Sequence, residues 1–308
     1  MIKKDKQKAP VAGFLVVPNL DDAVKFYSKA FGAVLSERYE DPRGKVWYAV
    51  LHIGGVPLQL MEPFRDMGLV AAPKKKKQND SDMLAITVAD VDKTFAKAIQ
   101  AGATAIVDPQ FDAQTGARFG ELRDPFGHRW KLTQGTKSKR KGAKMQTQIE
   151  PVHIVRRLDE AVKFQTTVFG AKVAQRFTHP QDKNLQAVVQ IRGSHLRLMQ
   201  SVKAARLATR PVSGNDSSMV SVTVPNVDST YKKAIKAGAK GIIAPQDAYW
   251  GDRYAEFKDI SGLRYACCGD KTLGAEVINP ADLQKKFTNF LDDHGQPKSP
   301  AKVVGVTI

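Results

Sequence analysis

Few residues in this chain have the types and spacing that do chemistry. Six histidines, His52, His128, His153, His179, His195 and His294, are scattered through 308 residues, and packing or surface placement explains such scatter better than a ligand set. The two cysteines, Cys267 and Cys268, are adjacent; on a strand they point to opposite faces, a poor metal pair and no basis for a disulfide framework. Trp250, Asp252, Arg253 and Tyr254 form a compact run in which an arginine beside aromatics could clamp a carboxylate or phosphate. The same run could brace a loop, as Arg118 and Phe119 would earlier in the chain, and the recurrence of the pair favours bracing. The chain has no GxGxxG with an acidic ribose partner, no P-loop, no CxxC and no serine-nucleophile elbow.

The elements that must position any site are announced by DPFGHRWKL, Asp124 to Leu132. Asp, Pro and Gly in that order are type I turn chemistry, and the turn releases into a segment alternating like a half-buried strand. DISGLRYAC, Asp259 to Cys267, repeats the punctuation. Upstream, Asn19 caps a helix with Leu20, Val24, Tyr27 and Phe31 on one face, Gly32 ends it, and three strands follow, with Gly54-Gly55 as a hairpin turn. That is one β-α-β-β-β unit. Met83 to Val88, the helix capped by Asp90 and three further strands make a second. Then the pattern restarts. LDEAVKF at Leu158 echoes LDDAVKF at Leu20, and SVTVPNVDSTYKKAIKAGAK at Ser221 echoes AITVADVDKTFAKAIQAGAT at Ala85. A nearly constant offset over more than a hundred residues is an internal duplication.

The bulk numbers fit two soluble domains: 42% hydrophobic, 26% charged, and no apolar run near the ~20 residues of a spanning helix. The basic start before a short apolar run superficially suggests a secretory signal, but that run has a later counterpart that must be a folded strand. Two cysteines suit a reducing cytoplasm. The net charge of +17 favours polyanions. The lysine run Lys74 to Lys77, the linker Lys137 to Lys144, and a matching loop with Lys203, Arg206 and Arg210 are the nucleic-acid candidates. They lack interleaved aromatics, and solvated loops are the plainer reading.

Taken together, the LDDAVKFYSKAFGA opening, AITVADVDKTFAKAIQAGA, DPFGHRW and DAYWGDRY resemble the vicinal oxygen chelate superfamily (glyoxalase, bleomycin-resistance and dioxygenase relatives), in its PhnB-like branch. The resemblance implies an α+β fold: tandem domains, each of two paired β-α-β-β-β units curled into a cup. The expected divisions are a basic arm at 1–10, a first domain at 11–134, a basic linker at 135–148, a second domain at 149–269 and a tail at 270–308 containing a short helix. Single-domain members pair, so the chain is expected to be a monomer acting as an intrachain pseudo-dimer.

In metal-using members of the family, ligands stand at one position on the first and last strands of each unit. Carried over, these positions are Ala12, Gln59, Met83 and Lys131 in the first half, and Glu150, Arg197, Met219 and Ala266 in the second. Neither set offers the three or more donors a divalent ion needs, so no metal and no cofactor is expected. Glu150 and Arg197 could be an acid/base pair or an ion pair filling a vacated position; the structural reading is stronger. His195 shares their strand face and His153 does not. Lys131 and Gln59 could bind an anionic small molecule in the first cup, lined by Trp47, Met61 and Phe119, or merely satisfy one another. With Glu150, Arg197, Trp250 and Arg253, these are the candidate ligand-binding residues. The leading expectation is a metal-independent small-molecule-binding protein. The alternatives are a metal-dependent lyase or dioxygenase with a rebuilt site, and a structural or polyanion-binding protein.

Overall fold

The computed structural model describes residues 10–40, 46–73, 79–112, 116–135, 147–178, 185–248, 252–269 and 302–305. The Lys74 to Lys77 run, most of the basic linker, Trp250, His179, His294 and the expected tail helix lie outside them.

The first unit is β1 (Val11–Val16), α1 (Leu20–Phe31), β2 (Val34–Glu40), β3 (Val46–Ile53) and β4 (Val56–Met61). The second is β5 (Asp82–Val88), α2 (Val91–Gln100), β6 (Thr104–Phe111), β7 (Arg118–Arg123) and β8 (Arg129–Gln134). The third is β9 (Ile149–Val155), α3 (Leu158–Phe169), β10 (Lys172–Thr178), β11 (Leu185–Ile191) and β12 (Ser194–Gln200). The fourth is β13 (Ser218–Val224), α4 (Val227–Lys236), β14 (Lys240–Asp247), β15 (Arg253–Lys258) and β16 (Arg264–Gly269). A short β17 (Lys302–Gly305) in the tail, with no counterpart in the sequence reading, pairs antiparallel with β2.

Helix starts follow the capping residues. The Asn19 side chain accepts from Asp22 N at 2.9 Å, Asp90 from Lys93 N at 2.9 Å, and Asn226 from Ser229 N at 2.8 Å. Only α3 lacks a side-chain cap among these four; Asp159 and Glu160 in its first turn complement the helix dipole instead. Among the described residues, no helix is long and apolar enough to cross a membrane.

The helices respect the halves, and so do the cores apart from Val11, which joins the second, and Ile149, which packs on the first. Leu20, Phe26 and Tyr27 of α1 and Phe95 of α2 share one buried cluster with Leu51, Leu60, Ile86, Trp130 and Leu132. Phe164 of α3 and Val227 of α4 share another with Val189, Leu198, Val222, Phe257 and Tyr265. At the centre of the first cluster, Asp124 Oδ2 accepts from Tyr27 Oη at 2.6 Å and Trp130 Nε1 at 3.0 Å. Its Oδ1 accepts the turn amides of Phe126 and His128. The DPFGHRW stretch therefore ties helix, turn and closing strand to one buried carboxylate.

The sheets do not respect the halves. One runs β14-β15-β16-β13-β1-β4-β3-β2-β17 and the other β10-β11-β12-β9-β5-β8-β7-β6. The first unit is thus continued by the fourth through β1 and β13, and the second by the third through β5 and β9. Each half packs its two units back to back over a helix-bearing core, and each cup is shared between halves. Asp252, just before β15, acts on the phenol of Tyr39 on β2 although their strands stand near opposite ends of one sheet, so that sheet curls. Burial first, then Glu37 and Asp252, push that phenol above its usual range.

Candidate functional site

This pairing regroups the site residues. Gln59 and Lys131, expected in one cup, lie in different sheets: β4 belongs with β13 and β16, whereas β8 belongs with β5, β9 and β12. Sequence order cannot predict this, because either pairing satisfies the same units. The cup of the first and fourth units holds Ala12, Gln59, Met219 and Ala266. That of the second and third holds Met83, Lys131, Glu150 and Arg197.

The first cup is apolar at its centre. Phe14, Val16, Leu69, Met219, Tyr254 and Ala266 are buried together, with Tyr48, Met61, Phe64 and Met67 against them. Phe14 is in register with both Met219 and Gln59. Tyr48 and Val50 face Met61 and Gln59 across β3 and β4, so Tyr48 is in phase with this face. Trp47, expected as lining, is out of phase with them; its ring lies 5.9 Å from Tyr48 and 6.2 Å from Tyr39. Below, Glu256 accepts from Arg264 Nε at 2.7 Å and also from Tyr254, while Asp216 accepts from Lys258 at 2.9 Å.

The second cup has the same buried floor: Glu121 accepts from Arg129 Nε at 2.9 Å, and Asp80 pairs with Arg123 at 2.8 Å. Above it the two cups diverge. Arg197 Nε and Nη2 both donate to Glu150 Oε2, at 3.1 and 2.9 Å, and Glu150 Oε1 is buried with no partner among the described residues. The guanidinium also lies 5.5 Å from the centre of the Phe177 ring, and Lys131 Nζ lies 4.8 Å from that of Phe119. Among the described residues Lys131 has no carboxylate within ion-pair distance, whereas each acid of this cup has its own cation. The cup carries a net positive charge at its half-exposed face. Phe177 and Tyr48 escaped the sequence reading; Phe177 stands where the repeat places Tyr39, and that correspondence was the available signal.

Loops close both floors from the neighbouring unit. Arg129 Nη1 donates to Ala205 O at 2.8 Å and Arg264 Nη1 to Met67 O at 2.7 Å, which seats buried Leu207 and Leu69 in the two cups.

The remaining candidates occupy simpler places. Arg253 Nε and Nη2 grip Asp228 at 3.0 and 2.8 Å, and Arg118 grips Asp92 in the same manner, each joining a strand start to the first turn of a helix. Arg210, grouped by sequence with solvated loop cations, is instead buried: it bonds Asp82, Asp216 and Ser218. A guanidinium with several carboxylates in reach is better held inside than hydrated outside. His153 is buried on the face away from Glu150, His128 Nε2 is 3.0 Å from Val16 O, and His195 is half-buried beside Arg197 on the cup face.

The quartets do not fit a divalent ion. Between them they offer one carboxylate, gripped by arginine, and one amide oxygen, where a metal takes three or more donors. Among the described residues no three His, Cys, Asp or Glu side chains gather as a metal site.

Comparison with known proteins agrees with this architecture. The family model of the glyoxalase/bleomycin resistance protein/dioxygenase superfamily matches residues 9–132 and again 149–266, and the chain belongs to that superfamily. An uncharacterised protein of Mycobacterium bovis is 38% identical over 121 residues, which are 39% of this chain and 79% of that protein. One from Mycobacterium tuberculosis is equally similar over 39% of this chain and 71% of its own length. Glyoxalase I from Zea mays superposes with a TM-score of 0.63 over 86% of this chain and 92% of the maize chain at 17% identity, a likeness of fold.

Proposed function

We propose that this protein is a small-molecule-binding member of the superfamily that works without a metal, and that its β5–β12 cup receives an anion. The observation that carries the reading is the Glu150–Arg197 pair at 2.9 Å, with Lys131 on the same face and, among the described residues, no carboxylate within ion-pair distance of it. A carboxylate already held by a guanidinium is a poor cation ligand, and a lysine at the neighbouring position repels a cation and attracts an anion. Phe119 and Phe177 present ring faces to the two cations and give an apolar wall to a ligand's body. The first cup, with Gln59 as its polar tip among Phe14, Tyr48 and Met61, suits an uncharged or apolar ligand.

The test is metal analysis of the full chain purified without chelators, together with calorimetric titration of phenylacetate. The expected result is metal well below one equivalent per chain and saturable binding of the acid that Lys131→Met weakens at least tenfold. Stoichiometric nickel or zinc, lost on Glu150→Ala or Gln59→Ala, would defeat the proposal.

A further inference from the structure

The acceptor left over in the β5–β12 cup is as informative as the cation. Glu150 spends Oε2 on both arginine nitrogens and leaves Oε1 buried without a donor among the described residues. A buried polar atom in that condition destabilises its site, and a ligand with a suitably placed donor recovers that loss on binding. That donor is best uncharged, because Arg197 and Lys131 already place two positive groups nearby.

The spacing fixes where the donor must sit. Lys131 on β8 and Glu150 on β9 are both in register with Ala85 on the intervening β5. Two strand spacings separate their backbones by about 9.5 Å. Between them the face carries only the methyl of Ala85, which is half-buried beside the apolar cluster of Met83, Val152, Ile154 and Leu207.

Granted the anion-accepting reading above, we infer that this cup selects an acid with an uncharged hydrogen-bond donor at its far end. The acid's anionic group meets Lys131, a hydroxyl or amide N–H at the other end donates to Glu150 Oε1, and the body of the ligand lies over Ala85 between Phe119 and Phe177. Phenolic acids are the simplest compounds of this shape.

The experiment titrates the full chain with 4-hydroxyphenylacetate, phenylacetate and p-cresol. The hydroxy acid is expected to bind at least tenfold more tightly than phenylacetate, and p-cresol most weakly. Glu150→Ala should erase the preference for the hydroxyl. Ala85→Leu, which adds bulk between Lys131 and Glu150 without touching a charge, should weaken both acids. Equal affinities for the two acids in the unaltered protein, with Lys131→Met still weakening both, would overturn this inference and leave the anion-accepting reading standing. A hydroxyl preference surviving Glu150→Ala would overturn it too. Failure of both acids to bind would overturn both readings.

Discussion

Arg210 and Asp82 stand 128 residues apart in the chain, yet Arg210 Nη2 lies 2.7 Å from Asp82 Oδ1. The same guanidinium reaches Asp216 through Nη1 at 2.9 Å and also bonds Ser218. The contact joins the start of β5 to the loop before β13, so one buried side chain pins the two halves where their sheets exchange units. Burial works against the charged form of both partners, but their mutual attraction leaves the Asp82 carboxyl below its usual range and the arginine above its own. Removing one member of a buried pair strands the other charge, at roughly 3–5 kcal/mol. Arg210→Met should therefore lower stability by about that amount, read from urea unfolding. A loss under 1 kcal/mol would mean Asp82 finds another partner.

Tyr27 offers a cleaner single-bond test. Its hydroxyl donates at 2.6 Å to Asp124, a carboxylate that also holds Trp130 and two turn amides. Burial, then the charge of Asp124, raises the phenol well above its ordinary range, so it stays a donor at any working pH. Tyr27→Phe removes a bond to a charged acceptor, for which about 1.5–3 kcal/mol is typical. Thermal unfolding measured beside Lys25→Ala, an exposed site on the same helix, should show the loss at Tyr27 only.

Two buried groups pull the pH dependence in opposite directions. Burial and the charge of Arg210 lower His153 to about 4, against an ordinary 6.5. The unfolded chain therefore binds the extra proton between those values, and stability falls as pH drops through that window. Burial raises Asp259 to about 6 from 3.8. There the folded chain holds the extra proton, and stability falls as pH rises from about 4 to 6. Each contribution is on the order of 1–3 kcal/mol at full extent. His153→Gln should make the protein gain stability on acidification from pH 6.5 to 4.5. Asp259→Asn should give an unopposed loss over the same range. Parallel profiles for the two variants, in urea midpoint against pH, would contradict the assignment.

Local structure and the repeat were legible because short-range chemistry writes them: Asn19, Asp90 and Asn226 cap as their positions demand, and the Asp124 turn closes its unit. Which units share a sheet was not legible. The outward edges of β1 and β5 have similar patterns, and nothing local distinguishes a partner in the same half from one in the other. The same ambiguity reaches the site: sequence order sets Lys131 with Gln59, whereas the sheet sets it with Glu150 and Arg197. Arg210 reads from sequence as a solvated loop cation for a related reason: its acidic partners are distant in sequence or lie in the next turn, and only the fold brings them together.

The exchange of units makes a prediction about one half alone. A fragment spanning residues 9–135 keeps its core of Leu51, Tyr27 and Trp130 but bares the edges of β1 and β5, which in the whole chain pair with β13 and β9. Since β13 and β9 are the repeats of β5 and β1, two copies of the fragment can cover both edges by pairing β1 of each with β5 of the other. It should be a dimer by light scattering, with unfolding that depends on concentration. The fit carries one flaw. Ser218, which donates to Asp82 in the whole chain, is the repeat of Asp82 itself, so the fragment dimer sets Asp82 against its twin without Arg210. Like charges at that separation oppose association, and the dimer should tighten at least tenfold in Asp82→Ser, the residue the second half uses. A stably folded monomer, or a dimer indifferent to Asp82→Ser, would refute the exchanged pairing as the source of association.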